Sequence, residues 1–133
     1  MLIGGASANT FDATASSIPV SVYGTQGNDT IRGSSFGDLL FGMSDDDSVE
    51  GNGGDDSLFG SAGRDFLSGG AGNDSLFGQG SSGDRLFGGT GNDLIDGGPG
   101  TDILVETADV NFTLTNTQLT GNGTDTLLSL IHI

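Results

Sequence analysis

The chain has 133 residues, of which 33% are hydrophobic, with 26 glycines, no tryptophan and no cysteine. This composition excludes a thick conventional core, disulfide bonds and a thiolate metal site. The formal charge of −15, from 18 acidic residues against three arginines, makes nucleic acid and anionic membranes poor partners, and it predicts that folding requires bound cations.

Residues 1–23 precede the regular part of the sequence. Their first half is rich in glycine and small polar residues, which indicates an irregular coil, whereas the alternating Val20 and Val22 indicate a strand. We predict that this segment caps the repeats that follow. It contains no basic region followed by an apolar stretch, and no run approaches transmembrane length. Any export signal is therefore expected elsewhere.

Residues 24–105 repeat with a nine-residue period. Nine units follow one another, each beginning with glycine, and the seventh has one extra residue. Position 6, counted back from the end in the longer unit, is always aspartate: Asp29, Asp38, Asp47, Asp56, Asp65, Asp74, Asp84, Asp93 and Asp102. Position 8 is always aliphatic: Ile31, Leu40, Val49, Leu58, Leu67, Leu76, Leu86, Ile95 and Leu104. A repeat architecture follows from these three positions.

This pattern resembles the nonapeptide G-G-x-G-x-D-x-U-x of the RTX family of secreted calcium-binding proteins. The resemblance implies an all-β fold, a parallel β-roll (β-solenoid) with strand-like flanking caps. Positions 1–6 would form a turn and positions 7–9 a short strand. It also implies that the nine aspartates are metal ligands for Ca²⁺. The family is exported unfolded by type I secretion and folds in the calcium-rich extracellular medium.

Physical chemistry supports the same fold. Glycine at positions 1 and 4 permits positive φ in tight turns, and Asn or Asp at position 5 tolerates it. The middle residue of a three-residue strand points inward while its neighbours point outward. Two units would make one coil of 18 residues, and coils would stack at about 4.8 Å, the spacing of paired strands.

Alternate turns would lie on opposite edges, so the aspartates form two columns. Adjacent carboxylates in a column can hold one Ca²⁺, with turn carbonyls completing the about six to eight oxygens that the ion needs. The columns contain four and three gaps, which predicts about seven ions whose fourteen positive charges nearly cancel −15. Phe36, in place of a position-4 glycine, and the insertion at Ser81 and Ser82 are expected to alter the neighbouring sites.

Residues 106–127 are predicted to form a strand-like cap. Val110, Phe112 and Leu114 alternate with polar residues, and GNGTDTL repeats the turn pattern in degraded form, with Asp125 and Leu127 at the expected spacing. Residues 128–133, LSLIHI, fit no repeat and match a translated sequencing adapter, so we expect a non-native tail. The alternative is a terminal apolar strand.

No catalytic site is expected. GSSFG around Ser35 matches a nucleophile elbow, but it lies in phase with the repeats, and the single histidine, His132, is in the tail. The alternative functions are an accessory block of a type I secreted enzyme or toxin and an adhesion or ice-binding surface. The ice-binding alternative would need a Thr-x-Thr ladder, which the repeats lack.

One surface is a candidate for protein contacts. Phe41, Phe59 and Phe77 occupy position 9 of alternate units, 18 residues apart, and should stack as an outward aromatic column. Such a column indicates a docking face for a neighbouring repeat unit or another protein. The equally good alternative is that the C-terminal segment covers it.

Overall fold

The computed structural model of the protein describes residues 1–80 and 83–104 in full, together with the backbone of three strands between 113 and 128. Strands are the regular elements of these residues, which confirms the predicted all-β class. They contain no helix of the length and apolarity needed to cross a bilayer.

Fifteen strands follow one another in the described part of the chain. Their bounds are β1 (Leu2–Ile3), β2 (Thr10–Asp12), β3 (Ser21–Thr25), β4 (Thr30–Arg32), β5 (Leu39–Ser44), β6 (Ser48–Gly53), β7 (Ser57–Ala62), β8 (Phe66–Ala71), β9 (Ser75–Phe77), β10 (Arg85–Thr90), β11 (Leu94–Asp96), β12 (Ile103–Leu104), β13 (Thr113–Thr115), β14 (Gln118–Gly121) and β15 (Gly123–Leu128).

The strands form two sheets, and consecutive strands from β1 to β12 alternate between them. The nine-stranded sheet has the order β1-β3-β5-β7-β9-β11-β15-β14-β13, and the six-stranded sheet has the order β12-β10-β8-β6-β4-β2. Pairing is parallel throughout the repeats, and among the described strands the pairs β13–β14 and β14–β15 are the antiparallel ones. The predicted parallel β-roll is confirmed.

The register repeats every coil. Leu40 pairs with Leu58 and Leu58 with Leu76, so neighbouring strands of one sheet are 18 residues apart. Where the longer unit intervenes, Leu67 pairs with Leu86. The extra residue therefore leaves position 8 of the longer unit in register with its neighbours.

The core is a double column of the position-8 side chains. These residues are completely buried from Ile31 to Ile95, and Val22 extends the column by one residue at the N-terminal end. Phe11, Val20 and Leu104 pack partly buried against it. Because each coil contributes only two such side chains, apolar burial per residue is small, and the fold needs another source of stability.

Several strands are longer than predicted. β5, β6, β7, β8 and β10 have six residues and continue from position 7 through position 3 of the next unit. The expectation of three-residue strands was wrong for these five. The backbone pairing extends past the position-1 glycine, for example from Phe41–Phe59 to Met43–Ser61, because glycine lets the coils stay close there.

Left-handed backbone occurs at position 2 rather than at position 1. Among the described residues, positive φ at position 2 is adopted by Thr25, Met43, Asn52, Ser61, Gly70, Gln79, Gly89 and Gly98. Positive φ at position 4 occurs, as predicted, at Gly27, Gly54, Gly63, Gly72, Gly91 and Gly100. The predictions for positions 1 and 5 were wrong, since neither carries positive φ in the described residues. Position 2 adopts this conformation in every unit except that of Ser34, and five of these residues are not glycine, so several units carry backbone strain.

Replacing Met43 by glycine is expected to stabilise the folded protein by about 1 kcal/mol. Met43 has φ 90° and is exposed, so the change relieves a left-handed L-residue while losing little buried surface. Relief of about 1–2 kcal/mol is offset in part by the greater freedom of glycine in the unfolded chain. Denaturant unfolding at saturating Ca²⁺ measures the change.

The matched control is Gly70→Ala, which alters the same repeat position in the opposite sense. Gly70 has φ 110°, and a Cβ there would collide with the carbonyl oxygen of Asn52. This variant is expected to lose stability. Equal shifts of the two variants in one direction would contradict the role assigned to position 2.

Candidate metal-binding turns

The aspartates of position 6 form the two predicted columns. On the first edge, where turns lead from the nine-stranded to the six-stranded sheet, the column is Asp29, Asp47, Asp65, Asp84 and Asp102. On the second edge it is Asp38, Asp56, Asp74 and Asp93. All nine are at most 4% exposed. The predicted assignment of each aspartate to one of the two columns is therefore confirmed.

One carboxylate oxygen of each aspartate links neighbouring coils. The backbone N–H of Asp47 donates to Oδ1 of Asp65 at 2.9 Å, and the N–H of Asp65 donates to Oδ1 of Asp84 at 2.8 Å. The same bond spans all seven gaps, with N–O distances of 2.7–2.9 Å. Oδ1 thus fixes the orientation of every carboxylate toward the preceding coil.

The second carboxylate oxygen is buried and accepts no hydrogen bond from the protein in most turns. This holds for Oδ2 of Asp29, Asp47, Asp56, Asp65, Asp74, Asp84 and Asp102. A buried carboxylate oxygen without a partner costs more than about 1–3 kcal/mol. A row of such atoms is the donor set that a hard cation requires.

Backbone carbonyls approach the same oxygens. A Cβ on Gly78 would lie 2.5 Å from Oδ2 of Asp84 and 2.6 Å from the carbonyl oxygen of Gly97, one coil further on. Gly24, Gly51 and Gly69 are crowded in the same way by their own aspartate and by the next position-1 carbonyl. Position 1 is glycine because these oxygen atoms from two coils converge over its Cα.

Burial favours the protonated form of the carboxylates when no cation is bound. It raises the pKa of Asp47 and Asp56 from 3.8 to about 7, against the hydrogen bonds that lower it, with repulsion from neighbouring aspartates adding to the rise. Burial likewise raises the pKa of Asp65, Asp74 and Asp84 to about 6. A divalent ion in each gap would reverse this effect by attracting both carboxylates.

Side chains alone do not complete a metal shell. In the part of the chain that the structure describes, no group of three or more His, Cys, Asp or Glu side chains converges on one point. The aspartates instead follow one another singly, one per coil on each edge. This arrangement fits Ca²⁺, which accepts backbone carbonyls as ligands, and does not fit a carboxylate cluster.

Asp38 differs from the other aspartates. Its Oδ2 accepts the backbone N–H of Ser34 at 2.5 Å, and its Oδ1 accepts the Ser34 hydroxyl at 3.1 Å and the Val20 N–H at 2.7 Å. The turn with Phe36 at position 4 is thus altered, as predicted. The other turn expected to deviate contains Ser81 and Ser82, which lie outside the described residues.

The N-terminal flank contains a repeat that the sequence reasoning missed. GGASANTFD (4–12) places Asn9 at position 6, and the Asn9 N–H donates to Oδ1 of Asp29 at 2.6 Å, as an aspartate of the column would. Phe11 pairs with Ile31 at position 8. The glycine pair, five and four residues before Asn9, was the available signal, but two extra residues before Gly24 break the nine-residue phase.

The C-terminal degenerate repeat joins the nine-stranded sheet. Leu127 pairs in parallel with Ile95 and Thr126 with Leu94. This register puts Asp125 at position 6, next to Asp93 along the second edge. Apart from Leu128, the predicted tail lies outside the described residues.

The aromatic column is present and begins one coil earlier than predicted. The rings of Tyr23, Phe41, Phe59 and Phe77 stack with centroid distances of 4.7, 4.7 and 5.0 Å. These distances confirm the expected coil spacing. On the first edge Arg64 lies 3.9 Å from Asp46 as an exposed pair that contributes little.

The fold and the turns define a parallel β-solenoid of nonapeptides whose edges present oxygen ligands. The family model of the RTX calcium-binding nonapeptide repeat, four copies long, matches residues 23–58, 50–82 and 79–105. The chain belongs to this family and is a calcium-binding repeat module. Comparison with curated proteins and with solved structures gave no match.

Acid is expected to stabilise the calcium-free fold. The folded-state pKa of Asp47 and Asp56, about 7, exceeds the 3.8 of an unperturbed aspartate. The folded state therefore binds more protons between these values, so lowering the pH from 7 toward 4 stabilises the calcium-free fold.

Circular dichroism in calcium-depleted buffer at pH 7.5 and pH 5 tests this expectation, with more β structure expected at pH 5. Equal β structure at the two pH values would contradict the raised pKa of the buried carboxylates.

Proposed function

We propose that this chain is a structural module that folds when Ca²⁺ binds between successive turns, with the column aspartates and position-1 carbonyls as ligands. The observation that carries the proposal is the row of buried Oδ2 atoms that accept no hydrogen bond, as at Asp47 and Asp65. In the turns of Gly24, Gly51 and Gly69, the Oδ2 atom and a position-1 carbonyl oxygen of the next coil both lie within 2.6 Å of the place that a Cβ on the glycine would take. Two carboxylates and several carbonyls form the oxygen shell that Ca²⁺ prefers.

Charge supports about seven ions. The nine aspartates leave four gaps on the first edge and three on the second, and seven divalent ions would bring the formal charge of −15 close to zero. Carboxylates one coil apart repel each other in a low-dielectric edge, and an ion between them replaces this repulsion by two attractions. Binding and folding are therefore one coupled process.

The setting that suits this chemistry is outside the cell. Extracellular calcium modules bind with dissociation constants of about 10⁻⁴–10⁻³ M, so the chain stays unfolded at low cytoplasmic calcium and folds after export. Type I secretion, the export route of the RTX family, delivers unfolded chains. We therefore propose a secreted or surface location, with the folding signal supplied by the medium.

The module itself is proposed to have no catalytic role. Ser35 occupies position 3 of a repeat turn, and its neighbour Ser34 is committed to hydrogen bonds with Asp38. The alternative is that the repeats serve as the accessory block of a secreted enzyme or toxin. The full reading frame in the genome distinguishes the two, since only the alternative requires a catalytic domain on the same polypeptide.

The aromatic column supports a second, structural role. Tyr23, Phe41, Phe59 and Phe77 form a half-buried stripe of stacked rings on the nine-stranded sheet. We propose that it contacts a neighbouring repeat unit. Sedimentation of the calcium-loaded chain with and without Phe59→Ser tests this, with weaker self-association expected for the variant and equal sedimentation as the opposing result.

Calorimetric titration with Ca²⁺ tests the main proposal. Several ions per chain, up to seven, are expected to bind with a heat that includes folding, and Mg²⁺ at the same concentration is expected to bind far more weakly because it demands a small octahedral shell. A stoichiometry of zero at millimolar calcium would refute the proposal.

A further inference from the structure

We propose that the turn Gly33–Asp38 is closed by protein hydrogen bonds in place of calcium, so that calcium on the second edge begins in the gap between Asp56 and Asp74. Asp38 is then a structural residue, although its repeat position makes it look like a ligand. The inference rests on the proposed calcium binding by the other turns and concerns which turns take part.

The carboxylate of Asp38 has no oxygen left without a hydrogen bond. Ser34, itself 1% exposed, donates its backbone N–H to Oδ2 at 2.5 Å and its hydroxyl to Oδ1 at 3.1 Å. Oδ2 is the atom that stays unbonded in turns such as those of Asp56 and Asp74. The N–H of Ser34 therefore directs a positive dipole end at the oxygen that a cation would need.

The position-1 carbonyl oxygen of this turn is also engaged. The side-chain amide of Asn52, one coil further on, donates to the carbonyl oxygen of Gly33 at 3.0 Å. Asn52 occupies position 2 of its unit, where glycine stands in three of the other units. Ser34 and Asn52 together thus occupy both carboxylate oxygens of Asp38 and the carbonyl oxygen of Gly33.

The backbone differs in the same place. Among the position-2 residues of the nine units between 24 and 105, Ser34 is the one that does not adopt positive φ. β4 ends at Arg32, so its pairing with β6 stops before Ser34. The Ser34 hydroxyl also accepts the N–H of Phe36 at 3.1 Å. A different turn conformation, stabilised from within, replaces the one that the other repeats adopt.

A second turn shows that this closure needs no carboxylate charge. In the turn Gly4–Asn9 the N–H of Gly5 donates to Oδ1 of Asn9 at 2.8 Å, which is the same position-2 to position-6 bond. The acceptor there is a neutral amide. The turn Gly4–Asn9 begins the first edge, and Gly33–Asp38 is the first nonapeptide turn of the second edge, one coil after the segment between β2 and β3.

Native mass spectrometry of the intact calcium-loaded chain counts the bound ions directly. Asp38→Asn is expected to bind as many ions as the unaltered chain, whereas Asp74→Asn, a matched change in the same column, is expected to bind at least one fewer. An equal loss of ions in the two variants would overturn the proposal.

A gain-of-site variant tests the same idea without removing a carboxylate. Ser34→Gly combined with Asn52→Gly removes the hydroxyl donor to Oδ1 of Asp38 and the amide donor to the carbonyl oxygen of Gly33. The glycine at position 34 also permits the positive φ that position 2 adopts in the turns where Oδ2 accepts no hydrogen bond, such as that of Gly70 and Asp74. We expect one additional ion per chain, and an unchanged count would overturn the proposal even if Asp38→Asn failed to fold. If the unaltered chain bound no calcium, the proposed function would fail instead, so the two failures are distinguishable.

Discussion

In calcium-depleted buffer at pH 7.5 the chain is expected to lose its β structure, and millimolar Ca²⁺ is expected to restore it. The apolar core consists of single position-8 residues, such as Leu58 and Leu67, and cannot offset the conformational entropy of the chain. The buried carboxylates oppose folding further, because burial raises the pKa of Asp47 and Asp56 to about 7. Far-ultraviolet circular dichroism during titration with EDTA and then Ca²⁺ measures the transition.

Mg²⁺ at equal ionic strength is the control, since it screens charge without fitting a shell of turn carbonyls. If magnesium restored the spectrum as well as calcium, general screening would explain folding. A spectrum that EDTA does not change would show that the aspartate columns are stable without metal. The proposal that binding and folding are coupled would then be wrong.

Asp65→Asn is expected to raise the calcium concentration at half-folding by about tenfold or more, equivalent to about 1.4 kcal/mol. Asp65 is 1% exposed and lies between Asp47 and Asp84, so its carboxylate borders two gaps. An asparagine retains the oxygen that accepts the Asp47 N–H and replaces the unbonded oxygen by an amide donor. The change therefore removes the proposed ligand atom while keeping the hydrogen bond between coils.

The matched control is Asp46→Asn on the same edge. It removes the same charge from an exposed side chain. Asp46 accepts a hydrogen bond from the backbone N–H of Arg64 at 2.9 Å, and an asparagine oxygen can accept the same bond. A shift of less than about twofold is expected, because exposed charges are screened. Similar midpoints for the two variants would mean that net charge, and not a ligand at position 6, governs calcium-dependent folding.

Three in-phase positions were enough to predict the coil, the core and both columns. Positions 6 and 8 alternate between turn and core with a fixed period, so the burial of Asp65 and Leu67 follows from pattern alone. The nine-residue phase also predicted the stacking of Phe41, Phe59 and Phe77. These features depend on periodicity, which a single sequence displays.

The remaining features depend on contacts between coils, which the sequence does not display. Positive φ at position 2 is adopted by residues as different as Thr25, Met43 and Gln79, so the conformational preference of the residue does not predict it. The hydrogen bond from Ser34 to Asp38 depends on the backbone geometry of one turn, and position 2, where Ser34 lies, is occupied by many residue types. Asn9 escaped notice because two inserted residues shift its unit out of phase.

The stack that begins at Tyr23 provides an optical reporter. Tyr23 is the single tyrosine of a chain without tryptophan, and its ring lies 4.7 Å from that of Phe41 at an angle of 7°. Its emission therefore reports assembly of the first coils without any label. Compared with a dichroism signal averaged over the whole chain, it can reveal whether the roll assembles progressively from one end or all at once.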